Sequence, residues 1–330
     1  MADEFHPPKR SGPRFQLLFQ SPSDPPANSI SLRDRRELVQ ARLSRSPWRS
    51  EDLALAQALG AQFKYLPRSD VELFFPEVRS ASIGRHLGTL VREEWILKQS
   101  QPNTGLKHPP ALFSLGPTAV DWLRAMGLPR RWSTRDVWKA QTDPFCAHWL
   151  GIATVWAQLL RFARSVPGVE LREFQTELDY RFGSLDARRA FKPDFLFVLT
   201  WGPAATQALT VLGEFDRDTE PVTRFVAAKM NAARSFKASG HFPFTGPVDY
   251  WIIAPSARRL EALAGPERRN LLIGPFGSNS GWFLIPFPDW QQQGVWGSQT
   301  WITQYERRTS HEDLPWNRLV AAVNSRSGPT

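Results

Sequence analysis

Residues 79–94 read RSASIGRHLGTLVREE, and the spacing of their apolar members decides how the first half of the chain is built. Ile83, Leu87, Leu90 and Val91 recur at i, i+4, i+7 and i+8, the period of one face of an α-helix. The opposite face carries Ser80, Ser82, Arg85, His86 and Thr89, with Arg79 at its start. Upstream, Ser31 and Asp34 form a capping pair that opens a helix to about Leu43, with Leu32, Leu38, Val39 and Leu43 on one side and Pro47 ending it. Ser50, followed by Glu51 and Asp52, starts a second helix in which Leu55, Ala58 and Leu59 share a face before Gly60. Pro67 and Pro76 punctuate the stretch that follows. Downstream, Trp95–Lys98 and Ala111–Leu115 read as two extended runs around a loop with Asn103, Gly105, Lys107, His108, Pro109 and Pro110. One more helix, Thr118–Met126, precedes Gly127, Pro129, Arg130 and Arg131, which read as a linker.

Helix, helix, helix, hairpin is the order of a winged helix-turn-helix, whose third helix lies in the major groove of duplex DNA. Arg85 has the fork geometry to pair bidentately with guanine, while Ser82 and Thr89 suit phosphate. Lys98 and Lys107, on the hairpin, would meet the backbone or the minor groove. A basic amphipathic helix that merely shows a solvated face explains each of these residues singly; the arrangement as a whole favours DNA.

Beyond Pro144 the pattern changes. A long apolar helix to about Ser165 is followed by extended runs at 170–178, 191–199 and 208–215, an amphipathic helix over 221–237, a strand at 248–253 and a helix at 256–264. The order αβββαβ implies a mixed sheet flanked by helices, because a parallel crossover needs the intervening helix. The fold class expected is therefore α+β to α/β: an N-terminal winged helix-turn-helix over 31–128, a linker over 129–143, and a mixed-sheet domain over 144–270. A Pro-rich basic arm (1–30) precedes them, and a Trp-, Gly- and Pro-rich extension (271–330) follows.

In the second domain Asp194 stands before one strand, and Glu214 and Asp216 close the next. Residues i and i+2 of a strand share a face, so Glu214, Asp216 and the neighbouring Asp194 are expected to meet in one cleft. Such an oxygen cluster suits a hard cation such as Mg²⁺. Lys229, on the following helix, would project toward it. The alternative is an ion-pair network in which Lys229 or Arg217 neutralises these acids.

The composition narrows the partner. Lys plus Arg number 41 against 32 Asp plus Glu, a net +9, and the isoelectric point is near 10.1. Residues 1–142 hold 21 basic and 14 acidic side chains, and residues 143–330 hold 20 and 18, so the excess that favours a polyanion lies mainly in the first half. The single Cys146 excludes an internal disulfide and any multi-cysteine zinc site. The Pro- and charge-rich start has no signal-peptide run, and no window matches a membrane span, so the expectation is a soluble, cytoplasmic chain. The sequence has no phosphate-binding Gly-rich loop ending in Lys-Ser/Thr, and no two of His6, His86, His108, His148, His241 and His311 have the tight spacing of a relaxase metal site. Trp282, Trp290, Trp296, Trp301 and Trp316 read as core or interface residues rather than a base-stacking platform.

The pairing of this reader with Pro193-Asp194, then Gly213-Glu214-Phe215-Asp216-Arg217-Asp218-Thr219-Glu220, then Lys229, resembles the plasmid replication-relaxation (mobilisation accessory) family over roughly Ser31–Pro255. The second domain is similar to the PD-(D/E)xK nuclease-like superfamily. The resemblance implies that Asp194 and Glu214 stand for metal-binding acids. Asp216 occupies the position of the usual catalytic lysine, for which Lys229 would have to substitute, and the helix 144–165 carries no acidic residue. These departures favour a non-enzymatic accessory factor of mobile-element replication, relaxation or transfer that binds double-stranded DNA and needs no cofactor. The alternatives are a Mg²⁺-dependent endonuclease using Asp194, Glu214, Asp216 and Lys229, and an interaction factor that docks a relaxase, replication enzyme or transposition enzyme. A second copy of the chain is also admitted as a partner; a membrane is not.

Overall fold

The computed structural model describes residues 48–100, 111–128, 130–131, 143–176, 178–182, 189–202, 206–218, 221–244, 248–264, 282–286 and 302–303, together with Glu37 and Ala41. The arm, most of the helix expected over Ser31–Leu43, the loop expected to form a wing with Lys107, and Trp290, Trp296, Trp301 and Trp316 lie outside the described residues. None of the described helices is long and apolar enough to cross a membrane.

The first unit is helical with a small sheet. Helix α1 (Ser50–Ala61) begins where Asp52 accepts the Arg49 backbone N–H at 2.9 Å. Strand β1 (Leu66–Pro67), the one-turn helix α2 (Arg68–Val71) and a 3-10 turn (Glu72–Phe74) lead to α3 (Ser80–Arg92). Strands β2 (Ile96–Ser100) and β3 (Ala111–Leu115) pair antiparallel, β1 adds to β3, and α4 (Pro117–Ala125) follows. Strand β1 lies in the Pro-punctuated stretch, to which the sequence assigns no element: its two residues are too few to show alternation, and pairing with Phe113 and Leu112 creates it. Gly60 was expected to stop α1. It is instead a buried helical residue, and a Cβ there would come within 2.5 Å of Leu123 Cδ1, so the glycine lets α1 and α4 approach.

The second unit is a six-stranded mixed sheet between helices. Its elements are α5 (Asp143–Ser165), β4 (Val169–Thr176), β5 (Tyr180–Phe182), β6 (Arg189–Phe191), β7 (Phe195–Trp201), β8 (Gln207–Phe215), α6 (Val222–Ala238), β9 (Val248–Ala254), α7 (Ala257–Ala264), β10 (Trp282–Pro286) and β11 (Ile302–Thr303). The sheet order is β11-β10-β9-β8-β7-β4, with β8, β9 and β10 parallel and the other pairs antiparallel; β5 and β6 form a separate hairpin. Period-2 alternation divides each central strand between two cores. Phe195, Phe197, Leu199, Leu209, Val211, Phe215, Trp251 and Ile253 pack with Ile152, Val155, Trp156 and Leu159 of α5. Leu196, Leu212, Tyr250 and Ile252 pack on the other side with Phe225, Met230, Ala233 and Phe236 of α6 and Leu263 of α7.

The first of these cores also contains Leu55, Leu59, Phe63, Leu87, Leu90 and Leu123 of the N-terminal unit. Phe63 and Phe74 reach Trp156 with ring centroids 5.0 and 5.3 Å apart. Arg161 bonds Asp70 at 3.0 Å, and Arg164 donates to the Leu73 carbonyl at 2.9 Å. The hydrophobic core thus runs across the boundary that composition suggested near 129–143. Asp70 is 4% exposed and burial raises its carboxyl pKa, with Arg161 pulling it back. Arg161→Ala should therefore lower stability by about 1–3 kcal/mol, the cost of a buried polar group losing its partner. Urea unfolding checks this; a variant as stable as wild type would show the contact to be dispensable.

Candidate functional site

Two groups of polar residues stand out. The first is the outer face of α3. Ile83, Leu87 and Leu90 are buried, which turns Ser82 and Arg85 outward; Arg79, the residue before the helix, is exposed as well. Lys98 is exposed on the neighbouring β2. Thr89 is half-buried, and its hydroxyl donates to the Arg85 carbonyl at 3.3 Å. Ser80 begins the helix. His86 behaves differently from its neighbours: its Nε2 donates at 2.7 Å to Asp52 Oδ1 of α1, and its ring meets Phe75 edge-on at 5.0 Å. The Asp52 carbonyl in turn accepts the Trp95 indole N–H at 3.0 Å. Asp52 thus joins α1, α3 and the start of the hairpin. Its local task at the helix N-terminus hid this second one, since an acid in the first turn already has an explanation.

The second group is the acidic cluster where β7 begins and β8 ends. Gly213 admits the Phe195 ring, which a Cβ would approach to 2.1 Å, and so lets the two strands close. The Asp194 backbone N–H donates to the Gly213 carbonyl at 2.9 Å. Asp194 Oδ2 accepts the Phe215 N–H at 2.8 Å, and Oδ1 lies 3.6 Å from His148 Nε2 of α5. Glu214 is 1% exposed with both oxygens engaged: Lys229 Nζ donates to Oε2 at 2.6 Å, and the Tyr250 hydroxyl to Oε1 at 2.6 Å. Lys229 also donates to the Lys192 carbonyl at 3.3 Å. Burial, and then the Asp194 charge, push the Glu214 carboxyl up to about 8, against the pull of Lys229 and Tyr250. Burial likewise raises the Tyr250 hydroxyl and lowers the His148 imidazole, the latter opposed by Asp194.

Asp216 goes elsewhere. Arg259 of α7 donates to it through Nε at 2.5 Å and Nη2 at 3.2 Å, and reaches Asp218 Oδ1 at 3.0 Å through Nη1. Asp216, expected to face one cleft with Asp194 and Glu214 as a metal ligand, thus has partners different from theirs among the described contacts. Strand β8 ends at Phe215, Asp218 turns with φ 56°, and Arg259 draws Asp216 away. Among the described residues no three His, Cys, Asp or Glu side chains are placed to hold a metal ion. Asp194 and Glu214 come nearest to such a pair, but Lys229 and Tyr250 already cover Glu214.

Arg259 and Tyr250 were missed in the sequence. A faint signal existed for the arginine: Arg258 and Arg259 sit in the first turn of α7, where the helix dipole disfavours cations, so one of them needed a partner elsewhere.

A family model described as replication-relaxation matches residues 71–241, 171 of the 330, a span holding α3, both hairpin strands, the acidic cluster and Lys229. No curated protein and no solved structure matches the chain.

Proposed function

This chain belongs to the replication-relaxation family, and on that premise we propose that it is a DNA-binding accessory protein of mobile-element replication, relaxation or transfer. In this reading the first unit acts as a winged helix-turn-helix, and the nuclease-like sheet serves as scaffold or partner surface. The observation that carries it is the outward face of α3, where Arg79, Ser82 and Arg85 are exposed over a buried apolar stripe, beside exposed Lys98 on the hairpin. A helix of this composition, followed by a hairpin, supplies a major-groove reader and phosphate contacts. The scaffold role is supported by the engagement of Glu214 with Lys229 and Tyr250 and of Asp216 with Arg259.

The direct experiment incubates the full chain with circular plasmid, with and without Mg²⁺, and titrates a mixed-sequence duplex at rising salt. Salt-sensitive binding without nicking is expected, because phosphate contacts release counterions. Mg²⁺-dependent nicking that is lost in Glu214→Ala while binding persists would replace this reading with an endonuclease. Plasmid left unbound and uncut would leave the docking of a relaxase, a replication or transposition enzyme, or a second copy of the chain.

Arg85→Ala should weaken binding to a duplex selected by the wild-type chain from a random library by roughly 1–3 kcal/mol, the size of a bidentate guanine contact, and leave binding to random duplex nearly unchanged. Equal losses on both would assign Arg85 to phosphate.

A further inference from the structure

His86 of α3 is bonded to another helix, and its partner is the more deeply buried of the two buried carboxylates, Asp52 and Asp70, among the described residues of the N-terminal unit. Asp52 is 1% exposed in its side chain and His86 20%. One carboxylate oxygen, Oδ2, is held by the Arg49 N–H and the other by His86 Nε2, while its main-chain carbonyl holds the Trp95 indole. His86 directly follows Arg85 in the helix, so what fixes the rotation of α3 about its axis at His86 also fixes the direction in which Arg85 leaves it. The apolar stripe of Ile83, Leu87 and Leu90 resists gross movement, but non-directional packing does not define rotation as a 2.7 Å charge-assisted hydrogen bond does.

We infer that Asp52 is a positioning residue for the DNA-reading face: acting through His86, it sets the orientation of α3 and so the direction in which Arg85 leaves it. The inference rests on the DNA-reading function of α3.

The test uses the full chain, a duplex selected by the wild-type chain from a random library, and a random duplex. His86→Gln keeps a donor to Asp52 and should bind both duplexes as wild type does. His86→Ala should bind the selected duplex roughly five- to tenfold more weakly, leave binding to random duplex nearly unchanged, and keep its circular dichroism. Asp52→Asn should lose part of the same preference, and the two His86 variants decide the matter if it fails to fold. A His86→Ala chain that binds the selected duplex like wild type, or a His86→Gln chain as weak as His86→Ala, overturns the inference while the DNA-reading function stands. A wild-type chain that binds no duplex overturns both.

Discussion

Arg259→Ala is expected to destabilise the fold by about 3–5 kcal/mol, the range for removing one partner of a buried ion pair. Arg259 and Asp216 are 5% and 3% exposed in their side chains, so deleting the guanidinium leaves a carboxylate that water cannot reach. The same arginine tethers Asp218 at 3.0 Å and donates its backbone N–H to Ser256 Oγ at 3.2 Å, which joins the end of β8 to the first turn of α7. Loss of the guanidinium should therefore loosen α7 as well as expose a charge. Denaturant unfolding measures the loss, and a double variant with Asp216→Leu and Arg259→Leu should recover much of it, since an apolar pair of similar volume needs no counter-charge. If Arg259→Ala unfolds at the wild-type midpoint, the contact is not a structural clamp. If the double variant is no better than the single one, packing rather than charge is what Arg259 supplies.

The second large effect is on the pH dependence of stability. Folded Glu214 holds its proton up to about 8, whereas the unfolded carboxyl releases it near its ordinary value of 4.5. Between those values the native state binds more protons than the unfolded one, so each rise in pH favours unfolding. The stabilising contribution is complete below about 4.5 and is lost as the pH rises through about 8. His148 acts in the opposite sense. Its imidazole is depressed, so its contribution is present above the ordinary imidazole range and is lost as the pH falls. Glu214→Gln removes the first effect; its amide oxygen can still accept from Lys229, while its NH2 can only donate, so the Tyr250 hydroxyl must turn to accept. Between about pH 5 and 8 the unfolding free energy of wild type should decline relative to that of the variant, by an amount on the order of a few kcal/mol. Parallel curves for the two proteins would show that Glu214 is ionised throughout beside Lys229.

How much of this was legible in the sequence follows from the range of each interaction. The apolar spacing in 79–94 places Ile83, Leu87 and Leu90 inward and Ser82 and Arg85 outward, because a helix repeats every few residues whatever surrounds it. Apolar runs likewise mark β7 and β8 and put Glu214 at the end of one strand with Asp216 just beyond it, and the αβββαβ order implies the mixed sheet. What stayed hidden was chosen by neighbours far along the chain. Arg259 lies 43 residues from Asp216, Tyr250 lies 36 from Glu214, and His86 lies 34 from Asp52. Strand β1 has meaning only beside β3, and Gly60 only beside Leu123. Periodicity is a property of the backbone and can be read locally. The partner of a buried charge is settled by which side chains the packed layers bring within about 3 Å, a distance at which direction decides as much as charge does. The sequence by itself therefore determined the long helices α1, α3, α5 and α6, the central strands and the carboxylates at the sheet's edge. Only the tertiary structure decided that two of those carboxylates are closed off by Lys229, Tyr250 and Arg259, and that His86 turns inward to Asp52 while Arg85 beside it faces solvent.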